Sequence, residues 1–261
     1  MPKRKYNWIP DLPDQRDQLF SEKVTAPPEI PASIDLRHEC SPVFNQGQIG
    51  SCTGNALAGA LEFLEKKELK KSSAKKGQVF TPGKFTHVSR LFIYYNERLI
   101  EGTTDQDAGA QLRDGVKALV QYGACRETTW KYSATQLLKK PSAKAYQEAK
   151  DHEISTYLRL QSLEEMKQCL ASGFPFAFGF TVYESFESAT VAKTGVMPMP
   201  KPSERTLGGH AVLAVGYDDE KEVLIVRNSW GTQWGMAGYF FMPYAYFEKK
   251  SLAQDFWTLR S

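Results

Sequence analysis

The sequence predicts an α+β fold, because helical patterns fill its first half and strand patterns fill its second half. From residue 56 onward, apolar side chains recur at helical spacing, whereas the run 174–182 places aromatic residues on alternate positions, as a strand does. The chain has 261 residues, of which 41% are hydrophobic. That length is enough to bury a large core in one domain or in two lobes.

Three helices are predicted in the first half. The first begins at or just after Cys52, where two adjacent apolar rows indicate a helix buried on most sides. It is expected to emerge into water at residues 65–68 and to give way to a polar loop over residues 70–86. The second covers residues 87–100. The third covers residues 110–122, and Gly123 is placed to end it.

The second half predicts a polar, helix-tolerant stretch over 134–151 and a short helix over 163–172, ended by Gly173. Strands are then predicted over 174–182, 210–217, 222–226 and 238–242. His210 is expected to begin its strand, with Gly208 and Gly209 as a flexible hinge before it.

The N-terminal arm, residues 1–30, is rich in proline and charge, so a long helix is not expected there. It also carries scattered apolar side chains, which favour an arm that docks on another surface over the alternative of a disordered tail. These side chains are Tyr6, Trp8, Ile9, Leu12 and Phe20.

Charge and cysteine content exclude several classes of protein. The formal net charge of +3 demands neither a nucleic-acid nor a membrane partner. No apolar run approaches the roughly 18 residues of a spanning helix, and no signal-like stretch follows the N-terminus. A cytoplasmic protein is therefore expected, with signal-independent export left open. The four cysteines form no CxxC pair, which argues against zinc; Cys40 and Cys125 either pair or stay reduced.

Cys52 has the surroundings of a reactive thiol. It ends a glycine-containing turn and stands at the start of a helix. A helix N-terminus and an adjacent imidazolium lower a thiol pKa from about 8.5 by several units. We therefore expect Cys52 to be a nucleophile, although a small buried cysteine is the ordinary alternative.

His210 and Asn228 complete a nucleophile site. If the strands that carry them pair antiparallel, both side chains lie at the same end of the sheet. Asn228 could then orient one ring nitrogen of His210 while the other faces Cys52. Gln46, six residues before Cys52, could donate to an oxyanion together with the backbone N–H of Cys52.

These motifs resemble those of the papain-like cysteine peptidases. The matching segments are Gln46–Gly47 to Ser51–Cys52, 209–212, and the Asn-Ser-Trp-Gly run that begins at Asn228. Residues 34–37 and the region 122–132 resemble further family segments. The resemblance covers about residues 31–245.

The resemblance implies a papain-like two-lobe fold, with a helical lobe (roughly 31–130), an antiparallel barrel-like sheet lobe (roughly 131–250) and the active site in the cleft between them. It implies a peptidase domain over residues 31–261 that acts on peptide or protein substrates as a monomer. It implies no metal or other cofactor. Peptide bonds would be hydrolysed through a thioester on Cys52, with His210 as base and then acid. Trp230 would shield the His210–Asn228 contact, and Gly109, Gly209 and Trp230 would contact an extended substrate.

Two departures from the family pattern stand near the nucleophile. Ile49 replaces a cysteine, so the usual flanking disulfide cannot form, and Thr53 replaces a tryptophan beneath the site. The long helical prosegment of the family is also replaced by the proline-rich arm. We expect the arm, through Tyr6, Trp8 and Ile9, to lie over or near the cleft and to restrain activity like the segment of a zymogen.

Two other functions stay open at this point. One keeps the fold but changes the reaction, to acyl transfer or to hydrolysis of a narrow amide or isopeptide substrate. The other is a non-enzymatic binding module, against which the presence of all four residues of the site argues.

Overall fold

The computed structural model describes residues 4–25, 29–76 and 85–260. Within these ranges the α-helices are α1 (Phe20–Lys23), α2 (Cys52–Lys75), α3 (Arg90–Glu101), α4 (Leu112–Tyr122), α5 (Ala143–Ala149), α6 (Leu163–Ala171) and α7 (Ala189–Thr194). The strands are β1 (Ser33–Asp35), β2 (Thr156–Leu160), β3 (Phe176–Tyr183), β4 (Thr206–Asp218), β5 (Val223–Arg227), β6 (Tyr239–Pro243) and β7 (Ala253–Arg260). Short 3₁₀ turns connect several of them.

The strands form one open antiparallel sheet in the order β2-β7-β3-β4-β5-β6, and β1 adds to β4. Alternate residues of β3 face opposite sides of the sheet. Phe176, Phe178 and Phe180 are fully buried in the aromatic core of the sheet lobe. Ala177 and Gly179 therefore face the other side.

Helix α2 lies between the two halves of the molecule. It packs against α3 and α4 on one side and against β3, β4 and β7 on the other. Every residue from Cys52 to Leu64 is buried, which confirms the expectation of a helix covered on most sides. The cleft opens where the N-terminus of α2 meets β4, with the loop between α3 and α4 on its other wall.

Several expected boundaries were wrong. Helix α2 continues through Lys75, so residues 70–75 are not a loop, and residues 77–84 lie outside the described residues. Strand β4 begins at Thr206, so Gly208 and Gly209 pair within the sheet instead of forming a hinge. The sheet also extends beyond the expected bounds of its lobe, because β1 precedes residue 131 and β7 runs past residue 250.

All four cysteines are free thiols, and Cys40 does not pair with Cys125. Cys40 packs against the large apolar cluster that joins the sheet to α2 and α4, whereas Cys125 belongs to a separate, smaller cluster in the helical lobe. The helical cluster includes Ala145 and Ala149 of α5, a helix that follows residue 131 in the chain. The division into lobes is therefore not a single cut in the sequence.

Candidate active site

Cys52 is the first residue of α2, and its side chain is completely buried. The backbone N–H groups of Ala211, Thr53 and Asn7 each lower the pKa of its thiol and so favour the thiolate. Burial outweighs them and raises the pKa of the Cys52 thiol to about 11. The expectation of a lowered pKa was therefore wrong for this conformation, because the sulfur is removed from water.

His210 lies on β4, next to Ala211, whose backbone N–H lowers the pKa of the Cys52 thiol. Its Nε2 is 2.8 Å from Oδ1 of Asn228, as predicted from two adjacent antiparallel strands. Nδ1 has no hydrogen-bond partner among the described residues. Burial lowers the pKa of His210 to about 4. The geometry thus leaves one ring nitrogen oriented and the other free to exchange a proton.

Trp230 covers the His210–Asn228 contact. Its ring stacks on the His210 ring, with 5.0 Å between centroids and 22° between planes. Phe180 packs against the same imidazole from the sheet, 5.7 Å away. These rings exclude water from the hydrogen bond that orients His210, and a bond in such surroundings is stronger than in water.

Gln46 is buried beside the nucleophile turn, and its side chain is held at both ends. Nε2 donates to the carbonyl oxygen of Ile49 at 3.0 Å, and Oε1 accepts from the hydroxyl of Ser229. The second N–H of Nε2 donates no hydrogen bond to any of the residues that the structure describes. The amide is thereby fixed near the turn that carries Cys52, as an oxyanion donor must be.

Thr53, at the position where the resemblance expected a tryptophan, makes a buried polar contact instead. Its hydroxyl donates to Oε2 of Glu97 in α3 at 2.5 Å. Burial raises the pKa of Glu97 to about 8, and the Thr53 bond only partly opposes this. A carboxyl group that is protonated at neutral pH therefore lies beneath the start of α2.

The N-terminal arm runs through the cleft and is bound to both walls. The N–H of Trp8 donates to the carbonyl oxygen of Gly209 at 2.9 Å, and the N–H of Ile9 donates to that of Ala110 at 3.1 Å. Asn7 bridges to Gly209 and Trp8 bridges to Ala110 in the manner of a parallel strand. The arm thus docks, as expected, and forms a short strand between the two lobes.

Gly109 and Gly209, two of the three expected substrate contacts, lie against the backbone of the arm. A Cβ at Gly109 would lie 1.8 Å from the carbonyl oxygen of Asn7, and a Cβ at Gly209 would lie 2.5 Å from that of Trp8. No side chain fits at either position while the arm is docked. The same two glycines therefore allow an extended chain to reach the backbone of both walls.

The indole of Trp8 fills a pocket next to Gly179, which we call the Trp8 pocket. A Cβ at Gly179 would lie 1.9 Å from Cε2 of the indole. Trp8 is only 6% exposed, yet its Nε1 has no acceptor among the described residues. The pocket is therefore shaped for a large apolar group and leaves the one polar atom of this group unsatisfied.

Asp107 anchors the arm on the helical lobe, a role that sequence reasoning missed. Its carboxylate accepts from Lys5 Nζ at 2.6 Å and from the Gly50 N–H at 3.1 Å, and its carbonyl accepts from Asn7 Nδ2 at 3.0 Å. The Tyr94 hydroxyl donates to it at 2.8 Å. Its place two residues before Gly109 was the only available signal.

The structure also bears on whether the chain spans a membrane or binds a metal. In the described ranges, none of the helices combines the length and apolarity needed to traverse a bilayer. The same residues include no group of three or more His, Cys, Asp or Glu side chains arranged to hold a metal ion.

The chain matches a known protein family and several of its relatives. The model of a family described as "Papain family cysteine protease" matches residues 94–256. An uncharacterized peptidase C1-like protein from Acanthamoeba polyphaga mimivirus is 41% identical, over 98% of this chain and 87% of its own length. Pro-cathepsin H from Bos taurus is 30% identical, over 91% of this chain and 67% of its own length.

Solved structures agree with these sequence matches. Xylellain, a cysteine protease from Xylella fastidiosa, superposes with a TM-score of 0.84 and 39% identity, covering 100% of this chain and 98% of that one. A digestive procathepsin L 3 from the Tenebrio molitor larval midgut superposes with a TM-score of 0.65 at 18% identity, over 99% of this chain and 75% of that one. The second likeness concerns the fold alone.

Proposed function

Because the chain belongs to the papain family of cysteine proteases, it is a cysteine peptidase that acts on peptides or proteins, and we propose that the conformation described above is its self-inhibited form. The N-terminal arm occupies the cleft that an extended substrate needs.

The reaction assigned to the site proceeds in two steps. Nδ1 of His210 takes the Cys52 proton as the sulfur attacks the substrate carbonyl carbon, and Asn228 keeps the ring oriented through Nε2. His210 then gives the proton to the leaving amine, and the acyl group stays on sulfur as a thioester. Water, deprotonated by His210, hydrolyses the thioester and restores the thiol.

Gln46 and the backbone N–H of Cys52 are assigned to the oxyanion that forms in each step. One donor of this kind stabilises the transition state by about 3 kcal/mol. Support comes from the fixed position of the buried Gln46 side chain beside the nucleophile turn.

The observation that carries the proposed restraint is the position of the arm. Its backbone is hydrogen-bonded to Gly209 on one wall and to Ala110 on the other, and the backbone N–H of Asn7 acts on the pKa of the Cys52 thiol. A substrate cannot bind to these groups at the same time. The arm therefore has to leave, or be removed, before hydrolysis.

The docked arm also opposes the charge separation that catalysis requires. With the cleft filled, burial raises the pKa of Cys52 and lowers that of His210. Both changes favour the neutral thiol and the neutral imidazole over a thiolate–imidazolium pair. Displacement of the arm readmits water and substrate dipoles, and the ion pair becomes accessible.

The arm is bound in a way that permits release. An indole N–H buried without an acceptor costs about 1–3 kcal/mol, so Trp8 is a suboptimal occupant of its pocket.

We propose that residues 1–30 form a separate regulatory segment and that residues 31–261 form the peptidase domain. One chain supplies Cys52, His210 and Asn228 together, which supports a monomer as the active unit.

The experiment compares two single variants of the full chain on a quenched fluorescent peptide substrate. Trp8→Ala removes the side chain that fills the Trp8 pocket, at a cost to docking of several kcal/mol. Leu12→Ala removes an arm side chain that is 71% exposed. We expect kcat/KM to rise about tenfold or more in Trp8→Ala and to stay unchanged in Leu12→Ala. Equal activity in all three proteins would overturn the proposed restraint.

A further inference from the structure

The stretch of the cleft next to Trp230 pairs an aromatic face with a carboxylate. Glu187 ends the 3₁₀ turn Glu184–Glu187 that follows β3. Trp230 presents one face of its ring to His210. The cleft side of Trp230 and the carboxylate of Glu187 both face the beginning of the arm.

The arm places a cation between these two groups. The guanidinium carbon of Arg4 lies 3.9 Å from the centroid of the Trp230 ring, and its Nη1 lies 3.9 Å from Oε1 of Glu187. The Tyr6 hydroxyl donates to the same carboxylate. The Tyr6 ring meets the Trp230 ring edge-on, with 6.2 Å between centroids.

This combination is suited to a planar cation. An aromatic face attracts a guanidinium through its quadrupole, and the attraction grows as the pair loses water. A carboxylate beside the ring adds a charge interaction and an acceptor for the guanidinium N–H groups. The Arg4 side chain is only 19% exposed and that of Glu187 35%, so both are partly desolvated. A neutral or acidic side chain in the same place would leave Glu187 without a counter-charge.

The position of this pair relative to the reacting groups links it to substrates. Arg4 and His210 both lie against the Trp230 ring, and the positive charge of Arg4 contributes to the lowered pKa of His210. The arm runs close against Gly208, since a Cβ at that position would lie 2.6 Å from Cβ of Tyr6. An extended peptide that replaces the arm along Gly208 and Gly209 would therefore pass the Trp230 face and Glu187, which Tyr6 also contacts.

We propose that Glu187 and the Trp230 face form a subsite for a cationic side chain. This subsite selects peptide substrates that carry arginine at the position bound next to Trp230. Arg4 of the arm occupies the subsite until the arm is displaced. The inference rests on the proposed function, since it requires a peptide to bind where the arm now lies.

The test uses the full chain carrying Trp8→Ala, so that substrate can compete with the arm. Quenched fluorescent peptides carry a single arginine at successive positions on both sides of the cleaved bond. Each has a partner in which citrulline, a neutral residue of nearly the same shape, replaces the arginine. At one position we expect kcat/KM to favour arginine by about fivefold, as a partly exposed cation–π and ion pair would.

Substitutions at Glu187 then remove its negative charge or reverse the sign of that charge. Glu187→Gln should reduce the arginine preference to about one, and Glu187→Lys should shift the preference at that position to a glutamate peptide. Glu184→Gln is the matched control, because Glu184 lies in the same 3₁₀ turn but pairs with the exposed Arg205. It should keep the full preference. Thermal unfolding of each variant shows whether the fold is retained.

A second readout does not depend on turnover. Non-cleavable versions of the same peptides are tested for protection of Cys52 from alkylation. Stronger protection by the arginine peptide, lost in Glu187→Gln, supports the subsite even if neither peptide is hydrolysed, in which case the peptidase assignment fails alone. Hydrolysis with equal rates for arginine and citrulline at every position overturns the subsite and leaves the peptidase assignment intact.

Discussion

The indole of Trp8 lies where any side chain of Gly179 would have to lie: a Cβ at position 179 would be 1.9 Å from Cε2 of the indole. One residue belongs to the N-terminal arm and the other to the strand β3 that lines the cleft. Their fit is the most specific contact between the arm and the peptidase body, and it is directly testable.

Gly179→Ala should expel the indole, because an interatomic distance of 1.9 Å cannot be accommodated by a rigid ring against a central strand. We expect alkylation of Cys52 to be about tenfold faster in this variant than in the wild type. On a Trp8→Ala background the same substitution should have little further effect, since the indole is already absent. Additive effects of the two changes in this double-mutant cycle would show that they act independently.

Loss of either reacting group should abolish hydrolysis. We expect Cys52→Ala to retain far less than a tenth of wild-type kcat, and His210→Ala to lose nearly as much, because the members of such a site act as a unit. The measurement is peptide turnover on a Trp8→Ala background, with thermal unfolding as the check on folding. A Cys52→Ala protein with more than about a tenth of the parent activity would refute the assignment of the nucleophile.

Docking of the arm should depend on pH through a buried pair of carboxyl groups. The N–H of Asp11 in the arm donates to Asp255 of β7 at 2.7 Å. Burial raises the pKa of both carboxyls, that of Asp255 to about 7. The groups facing the pair are Arg159 of β2, Arg113 of α4 and Asp17 of the arm.

Proton binding by these carboxyl groups determines whether docking of the arm strengthens or weakens with pH. A carboxyl with a raised pKa in the docked state binds more protons there than in the released state, so docking is strengthened at acidic pH and weakened as the pH rises through about 7. The ratio of Cys52 alkylation rates, wild type over Trp8→Ala, should therefore increase between pH 5 and pH 8. The ratio cancels the intrinsic titration of the thiol. A ratio that falls with pH would contradict the role of the pair.

Glu97 should lower the stability of the protein at alkaline pH. Its pKa rises from 4.5 when exposed to about 8 in the folded state, so the folded protein holds a proton that the unfolded chain releases. Stability is then full at acidic pH and decreases as the pH rises toward 8. Glu97→Gln should flatten the decrease in melting temperature between pH 5 and pH 8. Glu68→Gln, an exposed position on α2, should leave the decrease unchanged.

Much of the site could be predicted from the sequence because its residues lie at the ends of helices and strands, which leave recognisable sequence patterns. Cys52 is at the junction of a turn and a helix, and Asn228 directly follows β5, the strand next to the one that carries His210. Strand pairing then fixes the 2.8 Å contact between His210 and Asn228. The end of α2 could not be placed, because its last two turns are solvated lysines and serines that also suit a loop.

The charge states of the site could not be predicted from the sequence, because they depend on what fills the cleft. A helix N-terminus alone favours a thiolate at Cys52, whereas burial of the sulfur favours the thiol. The contributions of Glu187 and Gly179 were equally hidden. Each acts through a contact with the arm more than 170 positions away in the chain, and no local pattern in the sequence signals such a contact.

The most direct test of the self-inhibited conformation is the rate at which an epoxide thiol inhibitor alkylates Cys52, resolved by mass spectrometry against Cys40, Cys125 and Cys169 in the same molecule. We expect Cys52 to react about tenfold or more faster in Trp8→Ala than in the wild type or in Leu12→Ala, with the other three thiols unchanged. If Cys52 of the wild type reacts as fast as Cys52 of Trp8→Ala, the arm does not close the cleft and the account of restraint is contradicted.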